Sequence, residues 1–426
     1  MKDNESVGLN ICMLLTPQPW GNLKGLANPI LIELFADNLP ALGHSITWIL
    51  SSTTETEEHS FRKARIYPIA SIELSSLPGK ILNRVLVAYK TWRIARKLFQ
   101  KKKYDLIQIE ESLLNGLIGA YIKGKFKVPF VFRRDNIIDK DWHLALSSPV
   151  SKYNILHSLV ALRVWLSNIL MQYILQRADL IVVLSQLMSE KLVEKGIPES
   201  KIMVLPLGAN IKLFSLHKNG ENVRYKYGLD DSAVLIYSGT MAEIRQLDVL
   251  IYALVQVRQV KRGVKLLMVG NGNQVHLKRL VATLKLENEV IFTGQIPYSE
   301  IPQYIAAADI GLCSIPPLEI YKVSSPNKLF EYMAMAKPVI ANEGIPEQEK
   351  VIQESGGGIL IPFSAKEFAK AIVELLNNPQ RAAEMGRKGR GWVVQNRSYE
   401  VLARQLDERL LNFVNKDRMG IDRHEI

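Results

Sequence analysis

The feature that most constrains this chain is a rhythm, in which short apolar runs alternate with longer amphipathic segments from one end to the other. NICMLL, SITWIL, DLIQIE, PFVFR and DLIVVLS read as strands in the first half. AVLIYSG, KLLMVGNG, VIFTG, DIGLCS, KPVIAN and GGILIPF do so in the second. Helical stretches lie between most of them, which predicts parallel sheets built from βαβ units, twice over. At 426 residues the chain exceeds one ordinary core, so two α/β domains are expected. Their bounds are read as 1–206 and 207–395, with the turn-rich PLGANIKLF from Pro206 to Phe214 as linker. The last segment, 396–426, reads as a helix long enough to cross back to the first domain.

In open parallel sheets, ligands bind beyond the carboxyl ends of the strands, so the loops leaving strands are the places to search. The first, TPQPWGNLKGLANP, holds Gly21 and Gly25, and GNG spans Gly270 to Gly272. Neither has the third glycine of a dinucleotide fingerprint, which disfavours a nicotinamide enzyme. Cys12 and Cys313 give no disulfide framework and no metal-ligand spacing. Asp3 and Glu5 stand where a signal peptide would be positive, and the apolar stretch from Ile11 to Leu15 is too short to span a bilayer. The chain is therefore expected in the cytoplasm.

The net charge of +12 is unevenly placed, with twelve Lys or Arg and one acid, Glu73, between Arg62 and Lys103. No recognition motif, zinc spacing or aromatic-basic alternation supports nucleic acid as the partner. From Ile81 to Phe99, the residues Ile81, Val85, Tyr89, Trp92, Ala95 and Phe99 fall near one helical face, with Lys90, Arg93, Arg96 and Lys97 interleaved. Such a helix either lies on a sheet with a solvated basic face or meets an anionic membrane surface. Leu159 to Leu175 is the most apolar stretch, yet Arg163, Ser167, Asn168 and Gln172 interrupt it, so it is not read as a span.

Two stretches of the second half carry chemistry. In SSPNKLFEYMAMAKPVIAN, from Ser324 to Asn342, Ser325 is expected to N-cap a helix with Pro326 at its first position, and Lys328 follows one turn in. Amides and the positive dipole end there suit a phosphate. Glu331 is the misfit on an apolar helix, set either on a solvated rim or into a cleft where a ligand's hydroxyls can use its two oxygens. In YSGTMAEIRQLDVLI, a glycine turn at Gly239 precedes Arg245, whose guanidinium can fork onto phosphate oxygens. A departing diphosphate needs such fixed cations and oriented amides.

On these residues the chain resembles the retaining glycosyltransferases of the large sucrose synthase-like family 4. The likeness covers most of the chain and is strongest from Tyr237 to Ile361, and SSPNKLFEYMA is similar to a variant found in envelope-polysaccharide enzymes. The resemblance implies an α/β, GT-B fold, with two Rossmann-like domains whose parallel sheets face across a cleft and a C-terminal helix crossing back. Gly239, Thr240, Arg245 and Asp248 match the family's Gly, Arg, Lys and Asp pattern, with Thr240 in place of the usual arginine and Lys328 as the candidate replacement for that charge. Glu331 matches the second of two donor-site glutamates, the one that binds the ribose, and the first falls on Val323. Ser325 and Asn327 join the donor site, and FTGQIP, with Gly294 and Ile296, resembles the loop against the base. ANEGIPEQEKVIQESGGGILI resembles the closing stretch, and LPALGHSITWIL, ADLIVVLSQ and PLGAN resemble first-domain landmarks. FRRDN resembles an Arg-Asp pair that turns Asp135 toward donor sugar or acceptor, against the alternative of an Asp capping a turn. Gly21 and Gly25 fall to the acceptor side.

The implied function is transfer, with retention, from a nucleoside diphosphate sugar to a lipid-linked saccharide or glycolipid in envelope polysaccharide synthesis. No metal or other cofactor is implied. Partners are the donor, the acceptor and an anionic membrane at whose inner face the chain works as a peripheral protein; oligomeric state is open. The alternatives are a sugar-nucleotide epimerase, a sugar phosphorylase, or a non-catalytic subunit of a glycosyltransferase complex.

Overall fold

Each apolar run named above forms a strand. In a computed structural model, which describes residues 8–15, 30–53, 57–71, 76–135, 155–229 and 231–419, the chain divides into two compact units. Unit 1 runs to Leu205 and resumes at Ala403, and unit 2 is Pro206–Leu402.

Unit 1 holds β1 (Asn10–Leu14), β2 (Ser45–Ser52), β3 (His59–Phe61), β4 (Ala64–Ala70), β5 (Leu106–Glu110), β6 (Phe130–Arg134), β7 (Leu180–Val183) and β8 (Ile202–Val204). They form one sheet in the order β3-β4-β2-β1-β5-β6-β7-β8, parallel except for the β3–β4 pair. Strands such as β5, β6 and β7 are buried at every position, which is why a parallel sheet covered on both faces reads as continuous apolar runs. Three long helices follow successive strands: α1 (Leu77–Lys101) after β4, α2 (Leu113–Phe126) after β5 and α3 (Ile155–Arg177) after β6.

The face read for α1 from the sequence is only half right. Thr91, Ala95 and Phe99 continue a buried line from Val87, whereas Ile81, Val85 and Tyr89 are more than half exposed. A line with an i, i+4 step begun at Val87 misses those three, so the apolar residues of the first turns point to a different side.

Unit 2 holds β9 (Ala233–Ser238), β10 (Val264–Val269), β11 (Val290–Gly294), β12 (Ile310–Cys313), β13 (Val339–Asn342) and β14 (Gly358–Ile361), all parallel, in the order β11-β10-β9-β12-β13-β14. Its strands alternate between two cores. Val234 and Ile236 join Leu267, Phe330 and Met333 on one face, and Leu235 and Tyr237 join Leu266, Leu250 and Leu254 on the other. α4 (Asp248–Val260) belongs to the second core and α5 (Asn327–Ala334) to the first. The expected linker is ordered within unit 2: Ala209 bridges Ser398, and its N–H donates to the Arg397 carbonyl at 2.9 Å. The last helix, α6 (Tyr399–Met419), starts in unit 2 and continues into unit 1, where Asp407 Oδ1 meets His44 Nε2 at 2.8 Å and Arg409 Nη2 donates to the Ser200 carbonyl at 2.8 Å.

Candidate functional site

β9 ends in a turn that only glycine can make comfortably. Gly239 has φ 146°, and a Cβ there would sit 3.3 Å from Lys328 Nζ. The GNG loop after β10 packs backbone to backbone against that turn, since a Cβ on Gly270 would lie 2.1 Å from the Gly239 carbonyl oxygen. The two glycine loops, each weak as a motif, thus fit together into one floor at the carboxyl ends of β9 and β10.

Two cations of unit 2 each stand over a tyrosine, and Lys328 does so at this floor. Lys328 Nζ lies 4.2 Å from the Tyr237 ring centroid, and the Arg245 guanidinium, at the end of a short 3-10 turn, lies 4.4 Å from that of Tyr321. The Tyr321 hydroxyl is pushed up by burial, against the pull of Arg245, and Tyr237 adds to the rise. Burial pushes up the Cys313 thiol at the end of β12, while Lys328 and Arg245 pull it down and Glu331 adds to the rise. Thr240 is exposed, and its carbonyl accepts from the Tyr237 hydroxyl at 3.2 Å.

Glu331 is buried, at 5 % exposure, so it does not stand on a solvated rim. Its Oε1 accepts from the Tyr298 hydroxyl at 3.0 Å. Burial pushes its carboxyl up to about 7, against the Tyr298 hydrogen bond and the Lys328 charge. Asn327 opens α5 with a buried Oδ1 that has no hydrogen-bond partner among the described residues. Ser325 is not the N-cap: α5 starts after Pro326 with no side-chain cap, and the Ser325 hydroxyl accepts instead from the Leu207 N–H at 3.0 Å. Gly294 ends β11 with φ 75° and accepts from the Gly270 N–H, while Ile296 packs against the first core.

Residues 30–213 match the family described as Glycosyltransferase Family 4, and residues 232–378 match Glycosyl transferases group 1. Among solved structures, sucrose-phosphate synthase from Thermosynechococcus elongatus superposes with a TM-score of 0.69 at 21% identity, over 94% of this chain and 98% of that one. HepE from Anabaena, in complex with UDP and glucose, superposes with a TM-score of 0.67 at 18% identity and the same coverage. The chain has the GT-B glycosyltransferase fold, of group 1 and family 4 type.

Among curated relatives of this GT-B chain, the alpha-monoglucosyldiacylglycerol synthase of Streptococcus pneumoniae is 22% identical over 85% of this chain and 77% of its own. The GDP-mannose-dependent alpha-(1-6)-phosphatidylinositol monomannoside mannosyltransferase of Mycolicibacterium smegmatis is 26% identical over 55% of this chain, which spans 62% of that protein's length.

Unit 1 of the GT-B chain carries Asp135, just past β6. Arg133, 1 % exposed, holds it with Nη2 at 2.8 Å from Oδ1, and Nη1 reaches Glu110 Oε2 at 2.5 Å. Glu110 also accepts from Gln108 Nε2 at 2.9 Å, and burial raises its carboxyl above the usual range, against the charge of Arg133. Asp135 is thus paired with the arginine two residues before it, because alternation along β6 sends Arg134 to the other face, where Nε lies 3.9 Å from Glu111. Gly21 and Gly25 lie outside the described residues. Sequence reasoning missed Tyr237, Tyr298 and Tyr321; each sits in or beside an apolar run, where an aromatic reads as core. Among the described residues no three His, Cys, Asp or Glu side chains converge as metal ligands, and no helix is long and apolar enough to cross a membrane.

Proposed function

We propose that this chain transfers a sugar, with retention, from a nucleoside diphosphate sugar to a lipid-linked saccharide or glycolipid at the cytoplasmic face of a membrane, as a peripheral protein. The observation that carries the reading is a pair of ring-held cations in unit 2, Lys328 at the Gly239 floor and Arg245 over Tyr321, with the buried Glu331 one turn along α5 from Lys328. Two cations and the open N–H groups of α5 suit a diphosphate. Glu331 then accepts from both ribose hydroxyls, and the open Asn327 Oδ1 accepts from a donor group of the ligand. Low exposure makes each contact directional.

In the step itself the bond from the anomeric carbon to the phosphate oxygen breaks. The acceptor oxygen bonds to that carbon on the face the phosphate leaves, and the acceptor's proton passes to a phosphate oxygen. Charge that grows on the diphosphate is met by Arg245 and Lys328, so the reading assigns no metal and expects activity to survive chelation by EDTA. Asp135, held by Arg133, meets the donor sugar or the acceptor. One named relative is a phosphatidylinositol monomannoside mannosyltransferase and the other an alpha-monoglucosyldiacylglycerol synthase, which supports a lipid acceptor, and the envelope-type stretch SSPNKLFEYMA supports envelope polysaccharide synthesis.

A thermal-shift panel of UDP, GDP and ADP sugars tests the donor site, because only a nucleotide that binds raises the melting temperature. Arg245→Ala is expected to lower turnover by about 3 kcal/mol of transition-state stabilisation, and Glu331→Ala to weaken nucleotide binding. Unchanged turnover and binding in both variants would remove the assignment. Donor hydrolysis in the absence of acceptor would argue against a non-catalytic subunit.

A further inference from the structure

Right-handed crossovers place α1, α2 and α3 on one face of the first sheet, since each links strands in the same direction along the order β4-β2-β1-β5-β6-β7. α1 packs on α2 and α2 on α3, and Tyr89, Trp92 and Tyr121 form a ring contact chain across the first pair, with centroids 5.8 and 6.0 Å apart. This layer contains eleven Lys or Arg and no Asp or Glu. Its outer side is also apolar. On α3, Leu162, Trp165, Leu166, Ile169 and Tyr173 form a stripe at i, i+3, i+4, i+7 and i+11, and each is between 43% and 59% exposed. Ile81, Val85 and Tyr89 do the same on the first turns of α1.

We infer that this three-helix layer is the membrane-docking surface, and that α3, the most apolar stretch of the chain, lies in the plane of an anionic bilayer with Leu162, Leu166 and Ile169 among the acyl chains. The inference deepens the proposed function and rests on its membrane-borne acceptor. Charge decides the occupant. A second copy docked face to face would set cations against cations with no carboxylate on any of the three helices to pair them, whereas anionic headgroups complement all of them. Tyr and Trp at the layer's surface suit the headgroup boundary, and exposed apolar side chains there gain by burial in the acyl region.

The test is co-sedimentation of the full chain with vesicles of phosphatidylglycerol and phosphatidylcholine, and with phosphatidylcholine alone. Binding is expected only to the anionic vesicles and to weaken with salt. Leu162→Glu with Ile169→Glu on α3, and separately Arg84→Glu with Arg93→Glu on α1, should each lower the bound fraction roughly ten-fold while leaving the melting temperature in place, because all four side chains are exposed. An α3 variant that binds like the parent overturns the inference. So does a chain that ignores vesicles and runs as a dimer split by the α3 variant. If vesicle binding holds while no sugar is transferred, the proposed function falls and the surface stands. If the parent chain fails to bind vesicles yet glycosylates a detergent-dissolved glycolipid, the surface falls and the proposed function stands.

Discussion

A carboxyl group with almost no water around it keeps its proton to high pH, and Glu331 is such a group. With the folded group at about 7 and the ordinary value at 4.5, the proton favours the folded state. That contribution is full below pH 4.5, is lost as pH rises through 7, and amounts to something on the order of 3 kcal/mol. Glu331→Gln should remove this slope, which denaturant titrations of the free protein at pH 5 and pH 8 will read. The proposed ribose contact runs the other way, because two hydroxyls need the ionised form. Affinity for a nucleoside diphosphate sugar, which does not itself titrate in this range, should rise about ten-fold from pH 6 to pH 8 by calorimetry and stay level in Glu331→Gln. Residue type and spacing were enough to single out Glu331, Arg245 and Lys328. The tyrosines against them were not legible, because a ring that carries a cation and a ring that fills a core have the same neighbours in sequence.

At the scale of elements, the site depends on two glycine turns that no charge pattern reveals. Gly270→Ala would push a methyl group into the Gly239 carbonyl at a φ of 138°. A cost of about 1–3 kcal/mol is expected from such backbone strain, together with weaker nucleotide binding although no charged residue has changed. Urea unfolding and a binding titration on the same variant check both. Buried parallel strands were legible because both faces demand apolar residues. β4 was not, since ARIYPIA breaks its apolar residues with the exposed Arg65 and carries Pro68. The proline is tolerated because β3 pairs only with Ala64 to Ile66, leaving that side of Pro68 without a strand partner among the described residues. The start of α5 was misplaced by one residue for a different reason: Ser325 has a competing partner, Leu207, which lies far away in sequence.

At the scale of the molecule, two units with separate sheets predict two heat-absorption transitions in scanning calorimetry. The matching nucleotide should raise only the one belonging to unit 2, by about 2.7 kcal/mol of stability at a hundred times its dissociation constant. The repeated βαβ rhythm made the two-unit plan legible. What it could not show is where the chain changes unit for the second time, because Leu402 and Ala403 are consecutive residues of one unbroken helix. That second change has a consequence for synthesis. His44 and Ser200 belong to the part of the protein that leaves the ribosome first, yet their partners on α6 are made only after all of unit 2. A nascent chain can therefore complete unit 2 while its earlier half still waits for a missing helix, so a pause late in translation would leave the older half exposed to proteases.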